Sequence, residues 1–307
     1  MKHMDEQVLT IIICCYNGAD RLIKVLDHIY SQRNIEKYVS EVIVVDNHST
    51  DKTKEIVCSY EKDNILVVPL RYIYEGKLGL SNARKKGVDS CTTDWIVFLD
   101  DDNLIQSEWI EHISNYIRYN PKVGVLNGAV IPYVPFNISK DETLRLKASL
   151  KVLACTHYNF EELNRNKKTP FRNPIGAGMV IRAEPLKKLS ENGWLNSSGR
   201  TKDDLTSGED GEMAFYVKSM GYDFGFCPDA VLYHEMNRGR IQDDYLNKMW
   251  YEIGKGVAIV AKEQEIGRLK LLAYKVLLYY RLVGYYLKNK YKGKYYRQYI
   301  EGFNDEM

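Results

Sequence analysis

Short apolar runs alternate with helix-like segments through the first hundred residues. Val8–Cys15 is an almost wholly apolar run, and Val42–Val45 and Trp95–Leu99 share this character, which is typical of strands covered on both faces. Apolar residues recur at helical spacing between these runs, as in Asp20–Ser31. Ile65–Tyr74 predicts a further strand. The alternation predicts a parallel α/β sheet built from right-handed crossovers.

The pattern is less regular after residue 120. Val123–Val130 and Phe226–Tyr233 predict two more strands, and Glu209–Met220 predicts a helix. Residues 132–172 contain prolines, a helical stretch and a charged run, and this mixture does not predict the bounds of any helix or strand. Beyond residue 241 the pattern is helical. We therefore predict a larger α/β domain over residues 1–240 and a helical extension over residues 241–307.

Composition excludes several classes of protein, and charge adds one regional feature. Hydrophobic residues make up 45% and charged residues 27% of the 307 residues, so disorder and collagen-like repeats are excluded. The net charge of +2 hides a basic segment. Residues 266–300 contain nine Lys or Arg and no acid, and many of the 24 tyrosines lie in the same part of the chain.

The cysteines indicate a reducing compartment. The six cysteines are scattered without a C-x-x-C pair, and the N-terminus is polar rather than a secretory signal. These features predict a cytoplasmic protein with buried or inert thiols, not a disulfide framework or a thiolate zinc site.

Acidic residues follow two of the predicted strands. Asp46 ends one strand, and the run Asp100–Asp102 ends another. In an open parallel sheet, ligands bind beyond the carboxyl ends of the strands. Three adjacent carboxylates repel one another, and a hard divalent cation such as Mg²⁺ or Mn²⁺ relieves that repulsion. The alternative is a solvated acidic turn that caps the following helix, and for Asp46 a structural role in a polar turn.

Two further segments carry candidate chemistry. Gly76–Gly87 places Arg84 among lysines and small residues. This pattern suits phosphate or carboxylate binding, or an ordinary exposed basic helix. Ser207–Met213 contains Glu209 and Asp210 at the start of a helix. These acids either complement the helix dipole or include a general base.

The ordered set of motifs resembles glycosyltransferase family 2, whose members are inverting enzymes of the GT-A type that use nucleotide-diphosphate sugars. CYNGADRL resembles the Y-N-x-x-x-x-L entry segment, VVDNHSTDKT resembles V-D-x-x-S-x-D-x-T, and GLSNARKKG resembles G-x-x-x-A-R-x-x-G. FLDDDN, GAGMVIR, SGEDGEM and LYHEMNRG follow in the family's order over roughly residues 8–238. The resemblance implies a Rossmann-like, mostly parallel sheet flanked by helices, here followed by a C-terminal helical extension.

The resemblance also implies roles for individual residues. The nucleotide pocket would comprise Cys15, Tyr16, Asn17, Asp46 and Arg84, with Asp46 accepting from a uracil imide. Lys77 and Lys86 stand where the family often has Asn, so contacts with the donor in that segment are open.

For the metal, the resemblance implies that Asp102 is the direct ligand of Mn²⁺ or Mg²⁺ and that Asp100 lies nearer the ribose. Asp101 is an alternative to Asp102, because the triple Asp leaves the register open. His234 is a further ligand or a structural histidine.

For the chemistry, the resemblance implies that Asp210 is the general base and that Glu209 shapes the site. Gly176 lies in GAGMVIR and would let the backbone approach the donor sugar. The acceptor would be a hydroxyl of a glycan or a lipid-linked molecule. Alternatives are an inactive nucleotide-sugar-binding or scaffold subunit and a sugar-nucleotide pyrophosphorylase. A pyrophosphorylase would carry a Gly-rich loop after the first strand, where this chain has CCYNGAD.

The basic segment has two interpretations. Leu269–Leu287 is long enough to span a bilayer, but its three basic residues make spanning unfavourable. A basic, Tyr-rich amphipathic helix suits peripheral association of residues 266–300 with an anionic membrane. The alternative is a helix packed on the rest of the protein. Nucleic acid is not an expected partner, because no nucleic-acid-binding module is visible.

Overall fold

The structure is a computed structural model that describes residues 8–169, 173–195, 208–263, 277–279, 281–282, 285 and 290–307. The described residues form two compact units. The larger unit comprises residues up to Tyr133, those from Ala154 to 195, and Glu209–Glu235. The second comprises Val134–Leu153 and the residues from Met236 onward. The predicted division at residue 240 remains a prediction, and the units divide after Glu235.

The larger unit is built on an eight-stranded sheet in the order β3-β2-β1-β4-β7-β6-β8-β5. Strands β7 and β5 run opposite to the other six, so the sheet is mostly parallel, as predicted. The strands are β1 (Leu9–Cys15), β2 (Val39–Asp46), β3 (Leu70–Tyr74), β4 (Trp95–Asp100), β5 (Asn103–Ile105), β6 (Val123–Tyr133), β7 (Met179–Arg182) and β8 (Asp223–Glu235).

Helices flank this sheet, and its central strands are almost wholly buried, as is typical of strands covered on both faces. Every residue of β1 is buried. The helices of the larger unit are α1 (Leu22–Tyr30), α2 (Ile35–Tyr38), α3 (Thr53–Asp63), α4 (Leu80–Ser90), α5 (Trp109–Tyr119), α7 (Phe160–Arg165), α8 (Ala183–Glu191) and α9 (Glu209–Ser219), and those of the second unit are α6 (Lys140–Ala148), α10 (Asp243–Glu263) and α11 (Lys290–Glu306).

The structure differs from the prediction in the ends of two strands and in two short strands that were not predicted. The third strand begins at Leu70 rather than Ile65, whose side chain is fully exposed. The sixth strand continues through Pro132 to Tyr133, because it runs beside the long strand β8. β5 and β7 have three and four residues. Such lengths are too short to show a period of two.

The described part of the basic segment packs inside the second unit. Tyr295, Tyr299 and Phe303 of α11 are buried, and the Tyr299 ring meets Trp250 of α10 edge-on at 6.4 Å between centroids. Tyr295 donates a 2.7 Å hydrogen bond to Asp243. Most of residues 266–289, which belong to the stretch 266–300 predicted to associate with a membrane, lies outside the described residues. Among the helices that are described, none is both long and apolar enough to cross a bilayer.

Candidate active site

The loops after β1 and β2 are joined by hydrogen bonds from the candidate nucleotide-binding residues. Asn17 adopts a left-handed conformation with φ of 51°. Its backbone N–H donates to Ser49 Oγ at 2.9 Å, and its Oδ1 accepts from the Thr50 N–H at 2.8 Å. Cys15 is buried and Tyr16 is half-buried on the same loop. Burial, then the negative charge of Asp101, raises the pKa of the Cys15 thiol, which is therefore neutral.

Asp46 is held at the end of β2 by two donors. The Tyr72 hydroxyl donates to Oδ2 at 2.6 Å, and the Ser49 N–H donates to Oδ1 at 2.9 Å. Burial and this hydrogen bond raise the pKa of Tyr72, so its hydroxyl stays a donor. The Asp46 side chain is only 3% exposed. Asp46 thus shapes the loop after β2, and a carboxylate retains capacity to accept further donors.

The three acids after β4 lie in different environments. Asp100 extends β4 beside Cys14, where burial and then the charge of Asp102 raise its pKa, against the opposing effect of Arg84. Burial and then Asp102 also raise the pKa of Asp101, to about 6, although Arg21 donates to Asp101 Oδ2 at 2.7 Å. Asp102 Oδ1 lies 3.2 Å from His234 Nε2.

Strand pairing explains why Asp102 meets His234. After the acidic turn the chain continues as β5, which pairs antiparallel with β8 and places Asn103 opposite His234. The backbone N–H of Glu235 donates to the Asp102 carbonyl at 2.9 Å. Both Asp102 and His234 are buried, so their positions are fixed by the sheet rather than by a flexible loop.

The donor set fits a divalent cation held jointly with a substrate. Among the described residues, no group of three or more His, Cys, Asp or Glu side chains is arranged to hold a metal ion. Asp102 and His234 supply one carboxylate and one imidazole, and both groups are common ligands of divalent cations. Cations of this class take their remaining ligands from water and substrate phosphates in transferase sites.

A second group of charges surrounds Arg84. Its guanidinium stacks over the Phe98 ring at 5.5 Å and donates to Glu209 at 3.3 Å and to Asp210. Arg84 is 3% and Glu209 2% exposed, whereas the Asp210 side chain is 30% exposed. Burial alone would lower the pKa of Arg84, but the charges of Asp210 and Glu209 outweigh burial and raise it. Arg84 therefore stays charged.

Gly176 lies directly against Asp210. A Cβ at Gly176 would come within 2.5 Å of Asp210 Oδ2, so no larger side chain fits without moving this carboxylate. The loop that carries Gly176 is pinned by Asn127 of β6, which donates to the carbonyls of Ile175 at 2.8 Å and Ala177 at 3.1 Å. Asn127 also accepts from the Ile175 N–H at 2.8 Å.

The sequence profile of glycosyl transferase family 2 matches residues 10–190, which is more than half of the chain. The chain belongs to this family. The predicted resemblance is thereby confirmed, and the matched residues include both candidate nucleotide loops, Arg84, the triple Asp and Gly176.

Curated relatives match over shorter stretches. The chain is 30% identical over 138 residues to the glycosyltransferase GlyA of Streptococcus pneumoniae, covering 44% of this chain and 18% of GlyA. It is 23% identical over 128 residues to the poly-β-1,6-N-acetyl-D-glucosamine synthase of Staphylococcus epidermidis, covering 41% of this chain and 29% of the synthase. The match thus spans less than a third of either relative.

Solved structures share the fold. S. aureus TarS 1–349 in complex with UDP-GlcNAc superposes with a TM-score of 0.53 at 16% identity, covering 82% of this chain and 65% of that one. The mannosyltransferase PcManGT from Pyrobaculum calidifontis, in complex with GDP-Man and Mn²⁺, gives 0.56 at 19% identity, covering 98% and 87%. At these identities the likeness establishes the GT-A glycosyltransferase fold.

The structure brings most of the predicted site residues together. The Arg84 guanidinium contacts Glu209 and Asp210, and its predicted place beside the nucleotide stays a prediction. Asp101, the alternative to Asp102 as metal ligand, forms an ion pair with Arg21.

Sequence reasoning missed Arg21 and Asn127. Their partners lie 80 and 48 positions away along the chain. Arg21 occupies a variable position of the CYNGADRL segment, and Asn127 lies outside the quoted motifs, so only the folded chain reveals their contacts.

Proposed function

We propose that this family 2 chain is an inverting, metal-assisted transferase. It moves a hexosyl or N-acetylhexosaminyl group from a nucleotide-diphosphate sugar to a hydroxyl of a glycan or lipid-linked acceptor. The observation that carries the proposal is the group of Arg84, Glu209 and Asp210, in which a buried cation holds one buried and one accessible carboxylate. An accessible, oriented carboxylate is what deprotonation of an acceptor hydroxyl requires.

Asp210 is the base because of its position. Arg84 fixes the direction of its carboxylate, and Gly176 leaves the space that this carboxylate occupies. As the acceptor oxygen forms its bond to the anomeric carbon, the bond from that carbon to the diphosphate oxygen breaks. The hydroxyl proton passes to Asp210, and the nucleoside diphosphate leaves with the electron pair. Glu209 cannot take this role, because it is buried behind Arg84.

Asp102 and His234 would hold the cation, whose charge stabilises the negative charge that develops on the departing diphosphate. Asp100 lies beside this pair in the electrostatic field of Asp102, Arg84 and His234. Asp100 is half-buried at the end of β4 and would line the donor site.

The donor we propose is a UDP-sugar. TarS holds UDP-GlcNAc, and a curated relative is a poly-β-1,6-N-acetyl-D-glucosamine synthase. The Asp46 carboxylate, at the base of the two nucleotide loops, suits the imide N–H of uracil. PcManGT holds GDP-Man, so guanine is the rival base.

The general base is tested with Asp210→Asn, which keeps the shape of the side chain and removes its ability to accept the proton. UDP release from UDP-GlcNAc is measured with a panel of glycan acceptors and Mn²⁺. We expect the acceptor-dependent rate to fall by about 10²–10⁴-fold, with UDP binding retained. Glu212→Gln removes a charge from the same helical turn and is the matched control. A wild-type rate in Asp210→Asn would refute the assignment.

The donor is tested by thermal unfolding with nucleotide sugars, with and without Mn²⁺. A ligand that binds the folded state at 100 times its Kd stabilises by about 2.7 kcal/mol. We expect UDP-GlcNAc with Mn²⁺ to raise Tm more than GDP-Man does. A larger shift with GDP-Man would show that the base of the donor nucleotide is guanine rather than uracil. Binding without turnover on any acceptor would indicate a nucleotide-sugar-binding subunit.

A further inference from the structure

The middle acid of the triple Asp has a partner that neither neighbour shares. Arg21, in the turn before α1, donates from Nη2 to Asp101 Oδ2 at 2.7 Å. Asp102 instead contacts His234, and Asp100 ends β4. The Asp101 side chain is only 15% exposed, so the pair is shielded from solvent on the aspartate side.

The same nitrogen of Arg21 also reaches the nucleotide loop. Nη2 donates to the backbone carbonyl of Asn17 at 3.0 Å. Asn17 is the left-handed residue whose own N–H and side chain bond to the loop after β2. One guanidinium nitrogen therefore connects the turn that carries the acids to the loops that surround the nucleotide site.

The space around this contact is tight. A Cβ at Gly18 would come within 2.8 Å of Asp101 Oδ2, so Asp101 lies against the turn after β1. Turning Asp101 toward a cation would break its bond to Arg21 and its packing on that turn. Asp102 can bind a cation without breaking either contact.

We propose that Arg21 and Asp101 are a positioning pair that reserves Asp102 as the metal-binding carboxylate and couples nucleotide binding to metal binding. This inference rests on the proposed metal-assisted use of a nucleotide sugar. The pair holds the Asn17 turn and the acidic turn in one arrangement, so that a nucleotide ordering the first turn also sets the position of Asp102. Loss of the pair leaves both sites present but weakens the coupling between them.

The test measures the affinity of UDP by calorimetry with and without Mn²⁺, on the full chain. The ratio of the two Kd values is the coupling factor, and it needs no acceptor or turnover. We expect Arg21→Gln and Asp101→Asn each to reduce this factor by about fivefold or more. The double variant should be no worse than either single one, since residues that act as a pair are not additive. Arg21→Lys should restore part of the factor.

Two variants serve as references. Asp20→Asn removes the exposed carboxylate that also contacts Arg21, and it should leave the coupling factor unchanged. Asp102→Asn should abolish the effect of Mn²⁺. If Asp101→Asn abolishes the effect of Mn²⁺ while Asp102→Asn retains it, Asp101 is the ligand and the proposal is wrong. Additive losses in the double variant would also overturn it.

Failure of the proposed function gives a different result. If the wild-type protein binds neither UDP nor GDP, the proposed donor is wrong. The pair is then tested by urea unfolding of the wild type, Arg21→Gln, Asp101→Asn and the double variant. A coupling energy near zero in that double-mutant cycle would show that Arg21 and Asp101 do not hold the two turns together.

Discussion

Two arginines hold carboxylates in this site, and they differ chiefly in their exposure to solvent. Arg84 is 3% exposed and lies between Glu209 and Asp210, whereas the Arg21 side chain is 37% exposed and meets Asp101 at the rim. Removing one partner of a buried ion pair costs several kcal/mol of stability, because the other charge stays buried without compensation. In an exposed pair, water solvates the remaining charge, so the loss is small. We therefore expect the buried arginine to support both the fold and the proposed catalysis, and the rim arginine to act mainly on the proposed binding.

The largest expected effect is that of Arg84→Met. It leaves Glu209 buried without its cation, so the free energy of unfolding should fall by about 3–5 kcal/mol. Urea unfolding measures the change. Adding Glu209→Gln should recover part of the loss, because the second change removes the buried negative charge that Arg84 offset.

The control for this variant is Arg71→Met, which removes a partly exposed partner of Glu41 and should cost less than about 1 kcal/mol. Equal losses in the Arg84 and Arg71 variants would show that burial does not distinguish the two kinds of pair.

The sequence predicts the parallel half of the sheet better than the rest. Strands β1, β2 and β4 were predicted within a few residues, because each is a continuous apolar run followed at once by its polar site residues. The acids Asp46 and Asp100–Asp102 were found for the same reason. In the parallel half of the sheet, the candidate site residues can therefore be predicted from the strands that they directly follow.

The other half of the sheet depends on contacts between distant segments. β5 pairs with β8, and β7 pairs with β4 and β6. A strand of only three or four residues is too short to be predicted from its own sequence pattern. The acidic partners of Arg84 were not predicted for the same reason, because they lie about 125 positions away. A basic residue on a helix does not reveal whether an anion of the protein or of a ligand will meet it.

The next effect in size is that of Asn127→Ala. It leaves the carbonyls of Ile175 and Ala177 and the Ile175 N–H without their side-chain partner. Unsatisfied buried groups of this kind cost about 1–3 kcal/mol, which urea unfolding would show. Because the loop places Gly176 against Asp210, the rate of sugar transfer should fall as well.

The control is Asn192→Ala, whose exposed side chain bonds only the Lys188 carbonyl at 2.8 Å. It should change neither stability nor rate appreciably. A stable but slow Asn127→Ala protein would separate the loop's catalytic role from its structural one, while an unchanged rate would remove Asn127 from the account of the site.

The smallest expected effect on stability is that of Arg21→Gln. Its ion pair with Asp101 is open to water on the arginine side, and double-mutant cycles of such pairs typically give about 0.2–1 kcal/mol. The free energy of unfolding should therefore change by less than about 1 kcal/mol. A loss as large as that of Arg84→Met would mean that Arg21 supports the fold rather than binding. A small loss, accompanied by weaker coupling between UDP and Mn²⁺, would confirm that two similar arginine–carboxylate contacts serve different ends because only one of them is buried.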